Sequence, residues 1–486
     1  MGEEVEEQEF GGSDRARFRE KLRRSLDVLA RMLEEQRFDA TDPMTGLEVE
    51  LNLIDEAGLP VLRNDEVLDA IDHPDFQTEL ARFNVEVNVP PTALHHGGLA
   101  RLEDSLRQRL DDARKRSAGE GADLVMIGIL PTLAPEHLQS QSMSTDSRYA
   151  VINDQVLAAR GEDIRISIEG AERLDMVTDT VLPEAACTST QFHIQVRPDK
   201  FAAYWNASQA VCALQVAVGA NSPYFLGKEL WRETRIPLFE QSTDTRSEEL
   251  QAQGVRPRVW FGERWVTSVF DLFEENRRYF PALIPLLDDE DPVAVLGAGG
   301  TPGLAELRLH NGTIYRWNRP VYDVADGLPH LRVENRVLAA GPTVTDTMAN
   351  AAFYFGLVRA LAESERPLWS RLPFSVADDN FHDAARRGID AEVHWPGHDR
   401  VAATEVVLRL LEPAREGLLD WGVDPADADR LLGVIEERAR RRVNGAEWLV
   451  RRVRERSRDG RRAALRATLL DYRERMHTGE PVHTWD

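Results

Sequence analysis

Polar side chains, most of them acidic or basic, occupy every second position in five short stretches of this chain. The stretches are 47–53, 85–89, 192–197, 306–310 and 332–337. Because successive side chains of a β-strand point to opposite faces, each stretch would have one apolar and one polar face. One such strand is ordinary in a half-solvated sheet. Five of them, with carboxylates, a histidine and arginines, predict a sheet whose polar face is a reaction chamber.

The polar faces offer groups that suit a divalent metal ion. Glu48 and Glu50 lie two positions apart and therefore face the same way, and Glu86 with Asn88 repeats this arrangement. One face could offer five carboxylates and an imidazole: Glu48, Glu50, Glu79, Glu86, Glu334 and His193. Unpaired buried carboxylates are costly, so arginines or metal ions must compensate them. Oxygen ligands with one imidazole suit Mg²⁺ or Mn²⁺, which phosphoryl transfer from ATP requires.

Arginines in or near these stretches could bind phosphate or carboxylate groups. Arg308 and Arg336 lie on the polar faces, and Arg232 and Arg235 lie in a polar segment between residues 226 and 260. A planar guanidinium binds either anion in bidentate fashion. Simpler interpretations stay open, because one alternating strand usually faces solvent, a single strand histidine is usually structural, and Arg–Glu pairs often join neighbouring strands. The functional interpretation depends on the five stretches together.

Composition excludes several classes of protein. The chain has 486 residues and a formal net charge of −24, which argues against binding to nucleic acid or to an anionic membrane. No apolar run approaches the roughly 20 residues that span a bilayer. The acidic N-terminus is unlike a signal peptide, so we expect a cytoplasmic protein. Cys187 and Cys212 are too few for a disulfide framework, and a small buried residue is the favoured interpretation of Cys187 over a nucleophile.

The pattern of helices and strands that would position the polar faces predicts one large α+β unit. Helical spacing predicts helices beginning near Ser13, around 102–110 and over about 199–220, and an apolar run predicts a strand over 124–130. Residues from about 400 to 475 have a helical pattern throughout. We therefore expect a disordered acidic tail at 1–12, a catalytic unit at 13–395 and a helical C-terminal portion at 396–486.

Two further segments have weak signals. The glycine-rich segment 297–303 could be a nucleotide loop, but it lacks a following GK[ST], so a plain flexible loop is favoured. Many arginines lie in 436–466, where an amphipathic helix with a solvated basic face is favoured over an anion- or partner-binding face.

Five motifs, in order along the chain, resemble the glutamate–cysteine ligase family, and within it the bacterial branch of carboxylate–amine ligases. The resemblance covers about 40–400 and extends less clearly into the C-terminal helices. The motifs are Gly46-Leu47-Glu48-Val49-Glu50 for G-x-E-x-E, His193-Ile194-Gln195-Val196 for H-V-H-V, Gly219-Ala220-Asn221-Ser222-Pro223 for A-N-S-P-F, Arg332-Val333-Glu334-Asn335-Arg336 with Gly341-Pro342-Thr343 for T-V-E-x-R and its helix, and Asn380 to Gly388 for N-x-x-x-A-A-R-x-G.

This resemblance implies a fold and a chemistry. The fold would be a curved antiparallel sheet with helices on its outer side, and the reaction would use ATP, Mg²⁺ or Mn²⁺ and an acyl-phosphate intermediate. By the resemblance, the metal ligands would be Glu48, Glu50, Glu79, Glu86, His193 and Glu334. The ATP-contacting residues would be Arg232, Arg235, Arg336 and Gln195, and the catalytic residues Arg336, Arg235 and Arg308. Glu306, Arg308 and His310 have weaker family support and are interpreted as a substrate-facing or structural strand.

The chain departs from the family pattern in two places. Gln195 replaces the second histidine of H-V-H-V, and Gly128-Ile129-Leu130-Pro131-Thr132 replaces G-T-H-P, which lies near the amino-acid substrate in relatives. We therefore predict an ATP-dependent carboxylate–amine ligase for small molecules whose substrate pair is open, with no nucleic-acid or membrane partner and with homo-oligomer formation left open. The alternatives are a metal-dependent phosphotransferase resembling the guanidino kinases and a non-catalytic nucleotide-binding protein.

Overall fold

The protein is represented by a computed structural model that describes residues 10–39 and 43–486. The tail predicted at 1–12 falls mostly outside the described residues, and the first helix begins at Gly12, close to the predicted start at Ser13. Within the two described ranges, no helix is long and apolar enough to cross a membrane.

Fifteen strands are found in the described residues. They are β1 (Met44–Ile54), β2 (Phe76–Thr78), β3 (Asn84–Ala93), β4 (Asp123–Val125), β5 (Ile164–Glu169), β6 (Arg173–Thr178), β7 (Ser189–Gln195), β8 (Tyr224–Phe225), β9 (Lys228–Glu229), β10 (Val259–Trp260), β11 (Tyr315–Arg316), β12 (Asn318–Ala325), β13 (Leu328–Ala339), β14 (Glu392–Trp395) and β15 (His398–Ala402). A seven-stranded antiparallel sheet has the order β12-β13-β7-β1-β3-β2, with β4 also pairing with β1. This curled half-barrel confirms the predicted α+β fold with a curved antiparallel sheet.

Sixteen α-helices surround this sheet in the same described ranges. They are α1 (Gly12–Glu34), α2 (Asn64–Ile71), α3 (Gly98–Ser117), α4 (Ser147–Arg160), α5 (Pro198–Gly219), α6 (Arg235–Ser242), α7 (Glu248–Ala252), α8 (Val269–Tyr279), α9 (Pro292–Gly297), α10 (Ala305–Gly312), α11 (Val344–Ala362), α12 (Phe374–Arg387), α13 (Ala403–Asp420), α14 (Pro425–Arg441), α15 (Gly445–Glu455) and α16 (Arg461–Thr478). The helices predicted around 102–110 and over 199–220 are confirmed.

The apolar face of the sheet packs on α5 and α11. Phe192 of β7 stacks on Tyr354 and meets Phe355 edge-on, both from α11. Helix α13 lies directly behind α11, and the two backbones approach closely at Gly356 and Gly417. A Cβ at Gly356 would lie 2.1 Å from a backbone oxygen of α13, so only glycine allows this contact. The helices on this side leave the opposite, polar face of the sheet for the site.

The stretch 306–310, predicted to be a strand, is instead helix α10. Leu304 before it has φ 51°, and the buried residues Glu306, Leu307, His310 and Asn311 recur with helical rather than strand spacing. Arg308 consequently lies on the outer face of a helix, with its side chain 41% exposed. The strand predicted over 124–130 is also too long, because β4 ends at Val125 and the chain then turns through Gly128, whose Cα lies close to Ala339 and Ser222.

The C-terminal portion is helical from Ala403 to Thr478 apart from short connections, as predicted. Helices α13 and α14 pack on α11. The boundary predicted between 395 and 396 falls inside the β14–β15 hairpin, and the division into two parts stays a prediction. The glycine-rich segment 297–303 follows α9, and Thr301 Oγ1 donates a hydrogen bond to the Gly327 carbonyl at the β12–β13 turn.

Candidate active site

The polar face of the sheet collects the predicted side chains from strands that are distant in sequence. Strand β1 alternates as expected: Leu47 and Val49 are buried on one face, while Glu48 and Glu50 point to the other. The antiparallel register then sets Glu50 opposite Glu86, Glu48 opposite Gln191, and Glu334 opposite His193.

Three carboxylates meet at one end of this face. Oxygen atoms of Glu50, Glu79 and Glu86, which we call the carboxylate cluster, all lie within 4.8 Å of one another. Glu79 reaches them from the turn between β2 and β3, so strand periodicity does not place it there.

The hydrogen bonds that the cluster accepts come from amides. Glu50 accepts from the Ser189 backbone N–H (2.7 Å) and the Gln191 side chain (3.0 Å). Glu79 accepts from the Leu80 backbone N–H (3.2 Å). Glu86 accepts from the side-chain amides of Gln77 (2.5 Å) and Asn88 (3.0 Å). These neutral donors orient the carboxylates without neutralising them.

Burial and mutual repulsion raise the pKa values of the cluster. Burial is the main cause for Glu79, whose pKa lies well above its usual range, and the charges of Glu86 and Glu50 raise it further. The pKa of Glu86 is raised to about 8 by burial and by Glu48 and Glu50. Burial raises the pKa of Glu50 as well, although Arg336 opposes this. The positive charge of Arg336 thus offsets the negative charge of the cluster only in part, and a bound cation would supply the rest.

The remaining predicted acids on this face have protein partners. Glu334 is 1% exposed and accepts hydrogen bonds from Arg319 (2.7 Å) and Arg336 (2.9 Å). Burial alone would raise the pKa of Glu334, but these two arginines hold it far below its usual range. His193 Nε2 lies 3.0 Å from Glu48 Oε1, and the pKa of Glu48 is lowered by His193 against the effect of burial.

Two arginines adjoin the cluster. Arg336 donates to Glu334 and, through Nη2, to Gln191 (3.0 Å). Although burial by itself lowers it, Glu334 and Glu50 raise the pKa of Arg336, which therefore stays charged. Arg235 begins α6, is 1% exposed, and donates to the Arg336 backbone carbonyl (2.8 Å). Its Nε makes no hydrogen bond but lies 3.8 Å from Glu233 Oε1 in a buried ion pair.

Three other predicted residues make their contacts elsewhere. Arg232 lies 3.3 Å from Glu229 and 3.5 Å from Glu447 of α15. Gln195 accepts from the Met44 backbone N–H (3.1 Å). Arg308 pairs with Asp323 (3.2 Å), so its predicted place on a polar strand face is wrong. Among the contacts of the described residues, none joins these three side chains to the carboxylate cluster.

Sequence reasoning missed several members of the site. Arg319 lies opposite Glu334 in the β12–β13 register, and Arg332 donates to His193 Nδ1 (3.2 Å). The alternation of side chains along β12 and β13 could have predicted that both arginines face the site. Burial and the charge of Glu50 raise the pKa of Glu184, and burial and Glu184 raise the pKa of Tyr315. These two residues lie in a 3₁₀ helix and a two-residue strand, where no periodic pattern marks them.

The environment of Cys187 does not favour a role as a nucleophile. Its thiol is buried, and burial raises its pKa well above the usual range, so the reactive thiolate is disfavoured. This agrees with the favoured interpretation of Cys187 as a small buried residue.

The donor chemistry of the cluster fits a hard divalent cation. Three carboxylates that converge within 4.8 Å, with amides as their hydrogen-bond donors, resemble the oxygen-rich sites that Mg²⁺ and Mn²⁺ prefer. Glu334 and Glu48 fit less directly, since arginines and His193 already compensate them. The arrangement as a whole offers a cation site beside the guanidinium groups of Arg336 and Arg235, which suits the handling of phosphate groups.

Two solved structures share the fold of this chain. A glutamate–cysteine ligase from Francisella tularensis, in complex with AMP, has a TM-score of 0.52 and 12% identity, with 93% of this chain and 96% of that chain covered. A bifunctional glutathione synthetase from Pasteurella multocida has a TM-score of 0.50 and 11% identity; 93% of this chain matches 55% of that longer chain. At these identities the likeness concerns the fold.

Sequence comparison gives a more specific result. None of the curated proteins matches this chain. The family model for glutamate–cysteine ligase family 2 matches residues 44–467, from the first residue of β1 into α16. Since this match spans the entire polar-faced sheet and most of the C-terminal helices, the chain belongs to glutamate–cysteine ligase family 2.

Proposed function

We propose that this protein is an ATP-dependent carboxylate–amine ligase that acts on small-molecule substrates. The observation that carries the proposal is the carboxylate cluster lying beside Arg336 and Arg235, on a chain of this family. The AMP bound to the Francisella tularensis ligase supports nucleotide use by the shared fold. The departures at Gln195 and at 128–132 leave the carboxylate and the amine open.

The proposed reaction has two steps. In the first, a substrate carboxylate oxygen attacks the γ-phosphorus of ATP, ADP leaves, and an acyl phosphate forms. In the second, an amine nitrogen attacks the acyl carbon, phosphate leaves, and an amide forms. Glu50, Glu79 and Glu86 would hold the divalent ion, which when bound supplies positive charge against the phosphate oxygens.

The arginines have a separate proposed role. Arg336 stays charged, because Glu334 and Glu50 raise its pKa against the effect of burial, and its side chain is 14% exposed, while Arg235 is 1% exposed. A fixed positive charge acts strongly in such surroundings. We assign them to the anionic oxygens of ATP or of the acyl phosphate. The Glu334 side chain, held by Arg319 and Arg336, orients the Arg336 guanidinium. The ATP contacts predicted for Arg232 and Gln195 and the catalytic role predicted for Arg308 stay predictions.

The test is ADP release with Mg²⁺ or Mn²⁺ across a panel of amino-acid and amine pairs. We expect at least one pair to stimulate ADP release, and Glu50→Gln to abolish it, because the amide cannot ligate a cation as the carboxylate does. Glu56→Gln, an exposed position just after β1, is the matched control and should keep full activity. No stimulation by any pair, together with no ATP binding in calorimetry, would contradict the proposal.

Product analysis separates the ligase from the phosphotransferase alternative. A ligase releases free phosphate in equal amount to ADP and yields an amide that mass spectrometry detects. A phosphotransferase yields a stable phosphorylated product and no free phosphate. ATP and metal binding without any product would leave the non-catalytic nucleotide-binding alternative.

A further inference from the structure

Glu233 is a fully buried glutamate that lies two residues before the start of α6, outside the carboxylate cluster. Its side chain accepts hydrogen bonds from two consecutive residues: Oε2 accepts from the Asn221 backbone N–H (2.9 Å), and Oε1 accepts from Ser222 Oγ. The Glu233 backbone N–H donates to the Ala385 carbonyl near the end of α12 (2.8 Å). Contacts on both carboxylate oxygens and on the backbone therefore fix the position of this side chain.

The two residues that donate to this carboxylate are themselves held in place. Asn221 Nδ2 donates to the Ala340 carbonyl just after β13 (2.8 Å) and to the Tyr472 hydroxyl of α16 (2.8 Å). The Ser222 carbonyl accepts from the Thr234 backbone N–H (3.0 Å). The sheet, α16 and the start of α6 thus all support the segment that orients the carboxylate.

The same carboxylate faces the guanidinium group of Arg235. Arg235 Nε lies 3.8 Å from Glu233 Oε1, and both side chains are buried. Ser222 Oγ, which donates to Glu233, also accepts a hydrogen bond from the Arg235 backbone N–H (3.2 Å). Because Arg235 Nε makes no hydrogen bond, the carboxylate acts on the guanidinium through its charge alone.

The other contacts of Arg235 leave one of its terminal nitrogens available next to the proposed site. Nη2 donates to the Arg336 carbonyl (2.8 Å), and the guanidinium carbon lies 5.6 Å from the centre of a Trp317 ring. Nη1 makes no hydrogen bond with any described residue. The Arg336 side chain donates to Gln191 (3.0 Å), and Gln191 donates to Glu50 of the carboxylate cluster (3.0 Å). A short chain of contacts therefore connects Arg235 to the cluster.

We propose that Glu233 is a positioning residue for the nucleotide: it holds the Arg235 guanidinium so that Nη1 donates to an oxygen of the ATP phosphates. This inference rests on the proposed ligase function and on the role given there to Arg235. A buried arginine without a counter-charge is costly, and one bound to a carboxylate in bidentate fashion has fewer free donors. Glu233 avoids both problems, because it supplies the counter-charge while Asn221 and Ser222 occupy its oxygens.

Glu233→Gln tests this proposal because it removes the charge with little change of shape. The amide oxygen can still accept from Asn221, and the amide nitrogen can donate to Ser222 Oγ. In the ADP-release assay we expect kcat/KM for ATP to fall by about 10- to 100-fold, since misplacing a substrate-binding group by about 1 Å has effects of this order. The calorimetric affinity for ATP should fall as well. The KM values for the carboxylate and the amine, and the affinity for Mn²⁺, should match the wild type.

Glu275→Gln is the matched control, because it also removes the charge of a buried glutamate that pairs with a buried arginine. Glu275 lies 3.1 Å from Arg316, in an ion pair that no contact of the described residues joins to the carboxylate cluster. This control should lower the melting temperature and keep the wild-type kcat and KM for ATP. It separates the loss of a buried ion pair from the misplacement of Arg235.

A double-mutant cycle tests whether Glu233 acts through Arg235. Arg235→Gln removes the guanidinium that Glu233 would hold, and it should weaken ATP binding in calorimetry. In that background, Glu233→Gln should change the ATP affinity by less than about twofold, because the two residues act as one unit. Effects of the two substitutions that multiply independently would overturn the assignment.

Each remaining outcome is also decisive. Wild-type kcat/KM for ATP in a folded Glu233→Gln overturns the proposal, as does a change confined to the KM of the carboxylate or the amine. If Glu233→Gln does not fold, Ser222→Ala takes its place, because it removes one donor to Glu233 and keeps both charges. It should lower kcat/KM for ATP by a smaller factor, and an unchanged value overturns the proposal. A wild type that neither binds ATP nor releases ADP with any substrate pair contradicts the proposed function itself.

Discussion

Glu86 offers the most direct test of the charge balance in the cluster. Its folded-state pKa of about 8 lies above the value of about 4.3 of an unfolded glutamate. Between these values the folded protein holds a proton that the unfolded chain has lost, so stability falls as pH rises through that window. We expect the metal-free protein to lose on the order of 1 kcal/mol per pH unit from this group between about pH 5 and pH 8.

Thermal unfolding in EDTA, followed across this pH range, measures the effect. Glu86→Gln removes the ionisable group while keeping its shape, and it should flatten the pH dependence and raise the melting temperature at pH 8. Added Mn²⁺ should stabilise the wild type more at pH 8 than at pH 5, because protons compete with the metal ion, and should stabilise the variant less. An identical pH slope in both proteins would show that Glu86 titrates normally.

The sequence predicts those residues of the site that follow the two-residue periodicity of a β-strand. Glu48, Glu50 and Glu86 share a face because strands alternate, and Glu334 and His193 meet because their strands are neighbours. Burial and the charge of Glu50 raise the pKa of Glu184, which follows no such periodicity and lies more than a hundred residues from Glu50 in the sequence. Tertiary packing brings such residues together, and the periodicity of a single sequence does not predict these contacts.

Helix α10 shows where the same reasoning fails at the level of elements. Five residues with alternating apolar side chains fit a strand, but a short helix fits them as well. The polar residues Glu306 and His310, which alternation assigns to an open face, are in fact buried. Glu306 accepts from the Asp288 backbone N–H (3.0 Å), and His310 Nε2 lies 3.2 Å from the Asn276 carbonyl. Where polar residues are buried with hydrogen-bond partners, a prediction from the alternation of polarity alone gives the wrong secondary structure.

One buried ion pair contributes to the packing of α14 on α11. Arg438 is 1% exposed and donates to Asp346 (2.6 Å) and to Asn350 (2.7 Å). Asp346 also accepts from the Val482 backbone N–H (3.0 Å), which ties in the C-terminus. Arg438→Leu would leave the Asp346 carboxylate buried without its cation, and we expect it to lower the free energy of unfolding by about 3–5 kcal/mol.

Urea unfolding of three proteins checks this prediction. Arg440→Gln, on the same helix, breaks only the exposed pair with Glu436, and its side chain is 60% exposed. This control should stay within about 0.5 kcal/mol of the wild type. Arg438→Leu and Arg440→Gln with equal unfolding midpoints would contradict the structural role given to the Arg438–Asp346 pair.

At the scale of the whole molecule, the helical C-terminal portion contacts the part of the chain that contains the sheet at several points. Tyr472 of α16 donates to the Met126 carbonyl (2.7 Å) and accepts from the Asn221 side chain (2.8 Å). Arg454 of α15 donates to Glu229 (2.7 Å) in the β8–β9 hairpin. The helical pattern of 400–475 was readable from the sequence, but these contacts were not, because each joins residues that no local pattern relates.

These contacts predict that the two parts unfold together. A boundary between independent domains is crossed by few contacts, whereas here buried hydrogen bonds and an ion pair cross it, and the family match continues through it. Differential scanning calorimetry should therefore give a single transition, and Arg438→Leu should shift the whole transition downward. A chain cut after residue 395 should lack a cooperative transition, because it would expose the apolar face of α11 that α13 and α14 cover. Two resolved transitions in the full chain, with only one moved by Arg438→Leu, would instead establish 396–486 as a separate folding unit.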